Sequence, residues 1–426
     1  MTAPAVDAAA LEHGGVAAPE AAGEPARFRG ALASRSLRGL VVAHSLGTAA
    51  QLALTLAVGL EVLSRTTSGI WVSIAVALGF APYAVFSGAA GALADRWSAP
   101  AVIGATVAVR GATSAAVTAG IVLDWSTPVL VLLAAVTAVC ATPSYPATAA
   151  ATPQCVPAGQ LPAANALVTA AENVVWLAGP GLLGLLMLVG RSTAVATGVS
   201  TLCFVLATVV AARVRLPRRA AHPASWWRAM GEGLHAVYAD RAVRVPMTVA
   251  VIDNFLYGFL LVAMMLTAVA SFGLLNGALT CGALAALTVV NRCAGHGRSR
   301  VVLMVVMTCL CGSVAAFAVV GATAATLSML AVAGAGTMVA EVVAVTMLQR
   351  AARPDVLARV FGVFDQVNVG AIALGSFAAG QLSAAVGVRP ATLAVCALCL
   401  VATALTLGLG RRRRREAQPI PSQQPG

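Results

Sequence analysis

Hydrophobic residues in this chain gather in long blocks, not in alternation. The blocks cover about residues 37–62, 68–93, 100–122, 127–150, 163–189, 192–212, 246–269, 272–290, 301–321, 324–349, 360–384 and 388–410. Each is close to the roughly 20 apolar residues that a helix needs to cross a bilayer, and Gly, Pro or Arg stands at most joins. The pattern predicts an all-α integral membrane fold of twelve transmembrane helices. The seventh and eighth runs nearly touch at Ser271.

The connectors divide the chain. One long connector, 213–245, separates six spans from six and predicts an N-terminal six-helix bundle over 37–212 and a C-terminal one over 246–410. Within it Trp227, Met230, Leu234 and Tyr238 recur at helical spacing beside Arg228, Glu232 and Arg241, the pattern of a helix lying in the membrane interface. A tether between the halves is the simplest role for it. Residues 1–36 are Ala, Gly, Pro and Glu without an apolar run, which predicts a disordered tail, and they lack the basic start and apolar stretch of a secretory signal. Residues 411–426 form a second, basic tail.

Composition agrees with the pattern. Hydrophobic residues make up 59% of the 426 and charged residues only 10%, with a mean hydropathy of +0.89, a balance unlike that of water-soluble domains. The net charge is +12 and all 27 basic residues are arginine. The arginines occupy the gaps between runs, so they report topology and not a nucleic-acid partner. With an even number of spans both tails share one side. That side holds 23 arginines, against Arg65, Arg191 and Arg389 opposite and Arg110 inside a span. The positive-inside rule places both tails in the cytoplasm of a multi-pass plasma-membrane protein. The nine cysteines lie mostly inside apolar runs without the Cys/His pairing of a zinc site, so neither metal nor disulfide is expected. No phosphate-binding loop ending in Gly-Lys-Ser/Thr can exist without lysine, and none of the five histidines sits in a metal-ligand cluster. No cofactor or enzymatic activity is expected.

An internal repeat points to duplication. An offset of 196 carries Leu161 to Leu357, Gly179 to Gly375 and Gly184 to Gly380, matching the fifth span with the eleventh. The halves are therefore expected to be related by a pseudo-twofold axis.

The residues resemble the major facilitator superfamily. Gly91-Ala92-Leu93-Ala94-Asp95-Arg96, between spans two and three, matches the first part of that superfamily's cytoplasmic loop signature. The resemblance implies a gate at Gly91, Asp95 and Arg96, with Arg359 in the second half. The sequence then departs, with Trp97-Ser98-Ala99-Pro100 where the family has Gly-Arg-Arg or Gly-Arg-Lys, and Asn291 to Arg300 has diverged further. Gly179, Pro180 and Gly184 in span five resemble the exporters' Gly-Pro antiporter signature, with Val175 and Leu183 at two of its glycine positions. Pro180 removes a helical hydrogen bond and the glycines remove bulk, so a kink is expected. Pro157, Leu161, Ala164-Asn165-Ala166 and Arg359-Val360-Phe361-Gly362 are similar to the branch of the enterobactin exporter and macrolide efflux proteins.

Charges inside spans are costly and mark candidate sites. Glu172, Asp253, Glu341 and Asp365 are the acids assigned to spans, and Arg110 is the one base. At about 1.5 Å per residue all five lie between the cytoplasmic face and the midplane, as in a vestibule where cargo loads. Asp365 repeats Thr169, one turn from Glu172, so the two carboxylates are expected to face each other across the axis. Burial lets a carboxylate hold a proton near neutral pH; Glu172 or Asp365 is the expected proton carrier, with Arg110 as counter-charge and Asn254, beside Asp253, as a cargo contact. The competing role for these acids is a salt bridge to Arg350, Arg359 or Arg96 that closes the cytoplasmic gate. His44, Gln51 and Asn276 are candidate cavity residues, with bonding between helices the simpler role for each. Few aromatics lie mid-span, among them Phe80, Tyr83 and Trp176, a set better suited to an amphipathic organic cargo than to a sugar. The expectation is a proton-coupled exporter, acting as a monomer on a drug, siderophore or secondary metabolite. An importer or symporter on the same fold, and a non-transporting sensor or scaffold, are the competing functions.

Overall fold

With no water in the bilayer core, a backbone amide must find its partner within the protein, and a helix satisfies every such group locally. The computed structural model describes residues 28–94, 99–157, 160–190, 192–214, 216, 231, 234–235, 237–267, 271–286, 299–320, 324–351 and 357–416, and among them only helices form the regular elements. In chain order these are α1 (Phe28–Ala33), α2 (Arg35–Thr66), α3 (Gly69–Ala94), α4 (Ala99–Val122), α5 (Thr127–Ala141), α6 (Ser144–Cys155), α7 (Leu161–Gly190), α8 (Thr193–Arg213), α9 (Arg241–Thr267), α10 (Phe272–Ala286), α11 (Ser299–Val320), α12 (Ala324–Ala351), α13 (Leu357–Val386) and α14 (Val388–Glu416). Nine of the described helices are long and apolar enough to cross a membrane, and α5 and α10 are shorter apolar helices.

The helices follow the apolar runs with four local differences. The run 127–150 is broken into α5 and α6 at Thr142-Pro143, because proline has no N–H to donate to the preceding turn. Helix begins at Phe28, inside the expected tail, and at Arg241, inside the expected linker, and the last helix runs on to Glu416, inside the expected basic tail. Within the linker, Trp227, Arg228, Met230 and Glu232 lie outside the described residues, while Leu234 and Tyr238 are exposed. Helices α7 and α13 both span 30 residues and start and stop 196 residues apart, the offset read from the glycines.

Packing within each half runs through a central helix. Helix α2 lies against α3, α7 and α8, and α9 against α12, α13 and α14. Between the halves, α3 packs along α13 and α7 along α10. These contacts are made by the smallest side chains. A Cβ added at Gly184 would stand 2.6 Å from the Gly273 carbonyl oxygen, and one at Gly273 would strike the Gly184 carbonyl. Gly59 faces Met265, and Gly69 meets Leu266 and the Gly380 carbonyl. All of these lie at the end of the bundle remote from the two tails and draw the helices together there. Lipid surrounds the remainder: Leu132, Leu202, Val205, Leu374, Leu398 and Leu405 are exposed on helix faces. Burial of such side chains gains little in a membrane, so close backbone approach and polar contacts carry helix association.

One polar clamp fastens the same end. Glu61 of α2 accepts from Arg65 Nε at 2.5 Å and from the Thr193 hydroxyl at the start of α8. Arg65 continues to the Trp125 carbonyl at 2.6 Å and to Asp124 at 3.0 Å, joining α2 to the α4–α5 connector. The Asp124 side chain is 90% exposed, so its ion pair is screened by water.

Two outcomes follow for purified protein. Gly273→Leu forces α7 and α10 apart and should lower the melting temperature by several degrees, an overpacking cost of about 1–3 kcal/mol; Gly408→Leu, with nothing within 4 Å, should leave it unchanged. Glu61→Ala should cost about 1.5–3 kcal/mol, the range for a hydrogen bond to a charged group, while Asp124→Ala should cost less than about 1 kcal/mol. Thermal melts of the four variants check both.

Candidate functional site

The second half contributes three acids from three helices. Asp253, on the α9 face packed toward α12, is 1% exposed. Thr337 of α12 lies alongside it, yet among the described residues neither carboxylate oxygen has a hydrogen bond of normal geometry. Glu341, one turn beyond Thr337 on α12, is within electrostatic reach of Asp253, and its Oε2 is also unpartnered. Asn254 lies beside Glu341, and its amide donates to the Ala250 carbonyl at 3.0 Å. Asp365 of α13 reaches both Glu341 and Glu172 of α7. The four acids thus form a chain from α9 across to the first half. Among the described residues no base makes an ion pair with Asp253, Glu341 or Asp365.

The first half surrounds Glu172 with different chemistry. Its Oε1 stands 3.4 Å from Nε2 of His44, on α2. His44 is 6% exposed, and its Nδ1 lies 3.3 Å from the Thr148 hydroxyl on α6. The break at Pro143 directs α6, and with it Thr148, against α2; the Ser144 hydroxyl, 3.1 Å from Thr106 on α4, holds the start of that helix. Tyr83 of α3 is within electrostatic reach of Glu172, Asp365 and Arg110. One turn from Tyr83, Phe80 stacks on Trp176 with ring centroids 6.0 Å apart, and Trp176 is one turn from Glu172 on α7. An aromatic wall therefore adjoins the carboxylates.

Arg110 occupies a different place from the one its charge implied. The guanidinium is 2% exposed, donates from Nη2 to the Gly47 carbonyl at 2.6 Å and lies 4.7 Å over the Phe204 ring. It makes no ion pair with Glu172 or any other described carboxylate. A backbone carbonyl and a cation–π contact replace the counter-ion, and Arg110 is held between α2, α4 and α8.

The residues drawn from the family signatures divide in two. Gly91 is in the last turn of α3; Asp95 and Arg96 lie outside the described residues, and so does the Arg359 side chain, on the first turn of α13. Gly179, Pro180 and Gly184 all lie within α7, which runs through Pro180 without interruption. Gly179 packs on Leu52 and Ala49 of α2, and Gly184 on Gly273 of α10. The motif thus gives α7 contact surfaces toward both halves.

Two participants were not singled out by sequence. Glu61 is a fifth acid within a span, inside the first apolar run at its far end, and it is satisfied by Arg65 four residues on. The i,i+4 spacing was its signal. His44 was expected to bond between helices or to line the cavity, and nothing in the local sequence pairs it with a carboxylate 128 positions away. Among the described residues no three His, Cys, Asp or Glu side chains are placed to hold a metal ion. What the cluster can do is exchange protons and present negative charge beside aromatic surface.

Known proteins place this architecture. The family model described as Major Facilitator Superfamily matches residues 32–367. Macrolide efflux protein A of Streptococcus pyogenes is 25% identical over 209 residues, 48% of this chain, and the match spans about half of that protein's length, 51%. Among solved structures, a bacterial homologue of the human lysosomal transporter Spinster, inward-facing and occupied, superposes with a TM-score of 0.70 at 13% identity, covering 94% of this chain and all of that one, 100%. The nucleoside transporter NupG gives 0.66 at 13% identity, over 88% of this chain and 99% of its own. These likenesses are of fold. The family match spans most of the chain, and the chain belongs to the major facilitator superfamily.

Proposed function

We propose that this protein is a proton-coupled exporter of a small amphipathic organic molecule, working as a monomer in the plasma membrane with both tails in the cytoplasm. Residues 37–212 and 246–410 form the two six-helix bundles, 213–245 is the cytoplasmic linker, and the bundles rock about a site at their interface. The observation that carries this reading is the meeting of Glu172 and Asp365, on repeat-related helices α7 and α13, within electrostatic reach of each other. Two carboxylates from opposite halves repel unless a proton or a cationic group lies between them. Loading and unloading that charge changes the free energy of bringing the halves together, which is what coupling requires.

The cargo class is supported by the wall of Phe80, Trp176 and Tyr83 beside the acids, since an aromatic surface with a few charged groups fits an amphipathic molecule. The likeness to a macrolide efflux protein over half its length supports outward transport. The glycine contacts bring the halves together at the end remote from the tails. Glu341 and Asp253 add two further buried carboxyl groups on the same side, and Arg110 stabilises the first bundle from within.

The test is flux in proteoliposomes under an imposed pH gradient, using a panel of amphipathic compounds that includes a macrolide. Export predicts cargo and protons moving in opposite directions; movement together defeats the antiport reading. Glu172→Gln combined with Asp365→Asn should reduce pH-driven flux at least about tenfold, the effect of losing about 1.4 kcal/mol of coupling, with no loss of folded protein by gel filtration. Orientation is checked separately. A fluorescent-protein fusion after Gly426 should be fluorescent in cells and a phosphatase fusion at the same place inactive, because the former matures in the cytosol and the latter outside it.

A further inference from the structure

Asp253 occupies in the second half the place that Arg110 occupies in the first. Arg110 is held between α2, α4 and α8, the first, third and sixth spans, over the Phe204 ring and against the Gly47 carbonyl. Asp253 stands on α9, the seventh span, within electrostatic reach of Cys311 on α11 and Cys399 on α14, the ninth and twelfth. A six-plus-six repeat makes those two sets of three helices equivalent. The interiors of the halves therefore differ in chemistry. The arginine charge is permanent and satisfied in place. Asp253 is 1% exposed, and neither of its carboxylate oxygens has a hydrogen-bond partner among the described residues.

An enclosed carboxylate is costly unless something neutralises it. Thr337, alongside on α12, offers a hydroxyl but no charge. Glu341, one turn farther on α12, adds a second acid whose Oε2 is also unpartnered, and among the described residues no base makes an ion pair with either. One proton removes the conflict, because it cancels one charge and supplies the donor that the oxygens lack. We infer that Asp253 and Glu341 hold one exchangeable proton inside the second half, with Asp253 as its seat and Glu341 passing it to and from vestibule water. The inference rests on the proton-coupled reading above and adds a second protonation site to the meeting of Glu172 and Asp365. Glu341 suits the part, being half-buried where Asp253 is enclosed. Loading moves one proton from water to the Glu341 carboxylate and from there to Asp253; unloading reverses both transfers, and only O–H bonds form and break. The unloaded pair repels across the contact of α9 with α12. Helix α9 also packs on α13 through Gly258 and Gly375, the helix that carries Asp365, so occupancy of the inner site bears on the acid that meets the first half.

The titratable groups on the surrounding helices fit this assignment. On α9 itself the neighbour is Tyr257, one turn on. Helix α11 presents Cys311, and α14 presents Cys399 and, within reach of Cys311, Cys396. Helix α12 presents Glu341, and α13 presents Asp365, which reaches Glu341. Helices α2, α3 and α10 also touch α9. Of these α2 carries His44 beside Glu172 and the clamped Glu61 and Arg65, α3 carries Tyr83 near Glu172 and Asp365, and α10 carries the exposed Cys281. The arginines of α9 and of α11 to α14 stand near helix ends, at Arg241 and Arg244, Arg300, Arg350, Arg359, Arg389 and the run from Arg411.

Infrared spectroscopy of the full-length protein in lipid nanodiscs, with heavy carbon in the aspartate side-chain carboxyls, reads the site without any cargo. A carboxylic acid has a C=O stretch separate from the bands of a carboxylate, and the label moves aspartate bands away from those of glutamate. The expected spectrum at neutral pH contains an aspartic acid band that is absent from Asp253→Asn, shifts in Glu341→Gln and in Thr337→Val, and disappears as the pH is raised. Should Asp253→Asn not fold, Asp253→Glu makes the assignment by taking the band out of the labelled set. The absence of such a band at neutral pH, or its persistence at the highest pH at which the protein stays folded, overturns the proposal. So does a melting temperature that rises with sodium against choline and no longer does so in Asp253→Asn, because an inorganic cation then takes the place of the proton. Flux of a macrolide probe in proteoliposomes separates this site from the coupled reading. Asp253→Asn should lower pH-driven flux at least about tenfold. Flux that follows the pH gradient equally well in the variant overturns the second site alone, whereas flux that ignores the gradient in the unmodified protein overturns the coupled reading and the transport role of this proton with it.

Discussion

In lipid, an apolar side chain gains almost nothing by moving from acyl chains to protein, so the close approach of backbones organises this molecule. The approach of α7 to α10 at Gly184 and Gly273 is the clearest case, each glycine set against the other's main chain. Similar contacts join α9 to α13 at Gly258 and Gly375, and α10 to α12 at Gly282 and Gly334. Contacts within a half hold each group of helices together. The contacts between halves hold the two groups against each other. Because α7 takes part in both, through Gly179 on α2 and Gly184 on α10, it is the mechanical link between the interior of one half and the seam with the other.

The same absence of water governs the charges. Glu61 is satisfied in place, by Arg65 and Thr193, and fastens helix ends that have no need to move. Arg110 is satisfied by a carbonyl and an aromatic face, which stabilises the first half without involving a carboxylate. Asp253 and Glu341 contrast with both, having oxygens that are unpartnered among the described residues. A buried polar group left without a partner is expensive. Its retention is understandable where a proton or a cargo group completes it during the working cycle. Charged groups with partners and carboxylates whose oxygens have none among the described residues are thus separated, and the second kind lie on the side of the tails.

Much of this was legible in the chain. The spans followed from block length, because a fixed hydrocarbon thickness demands a fixed number of apolar residues. The repeat followed from Leu161, Gly179 and Gly184 recurring 196 residues on, and α7 and α13 have matching limits. The proximity of Glu172 and Asp365 followed from the same offset. The break at Pro143 was harder to see, since the apolar run continues through it. Glu61 was passed over at the edge of its run, and the partners of Arg110 and His44 had no signature at all.

Hydropathy and charge thus decided that the chain crosses a membrane, roughly where it crosses, and which side its arginines favour, because bilayer thickness and surface potential act on each segment independently of its neighbours. Which helix faces touch was decided only by the assembled structure. A soluble helix advertises its buried face by polar residues on the other, but a spanning helix is apolar all round, so its sequence carries no such stripe. The pairing of His44 with Glu172, the retreat of Arg110 from the acids and the meeting of Gly184 with Gly273 exist only once helices far apart in sequence have been brought into contact.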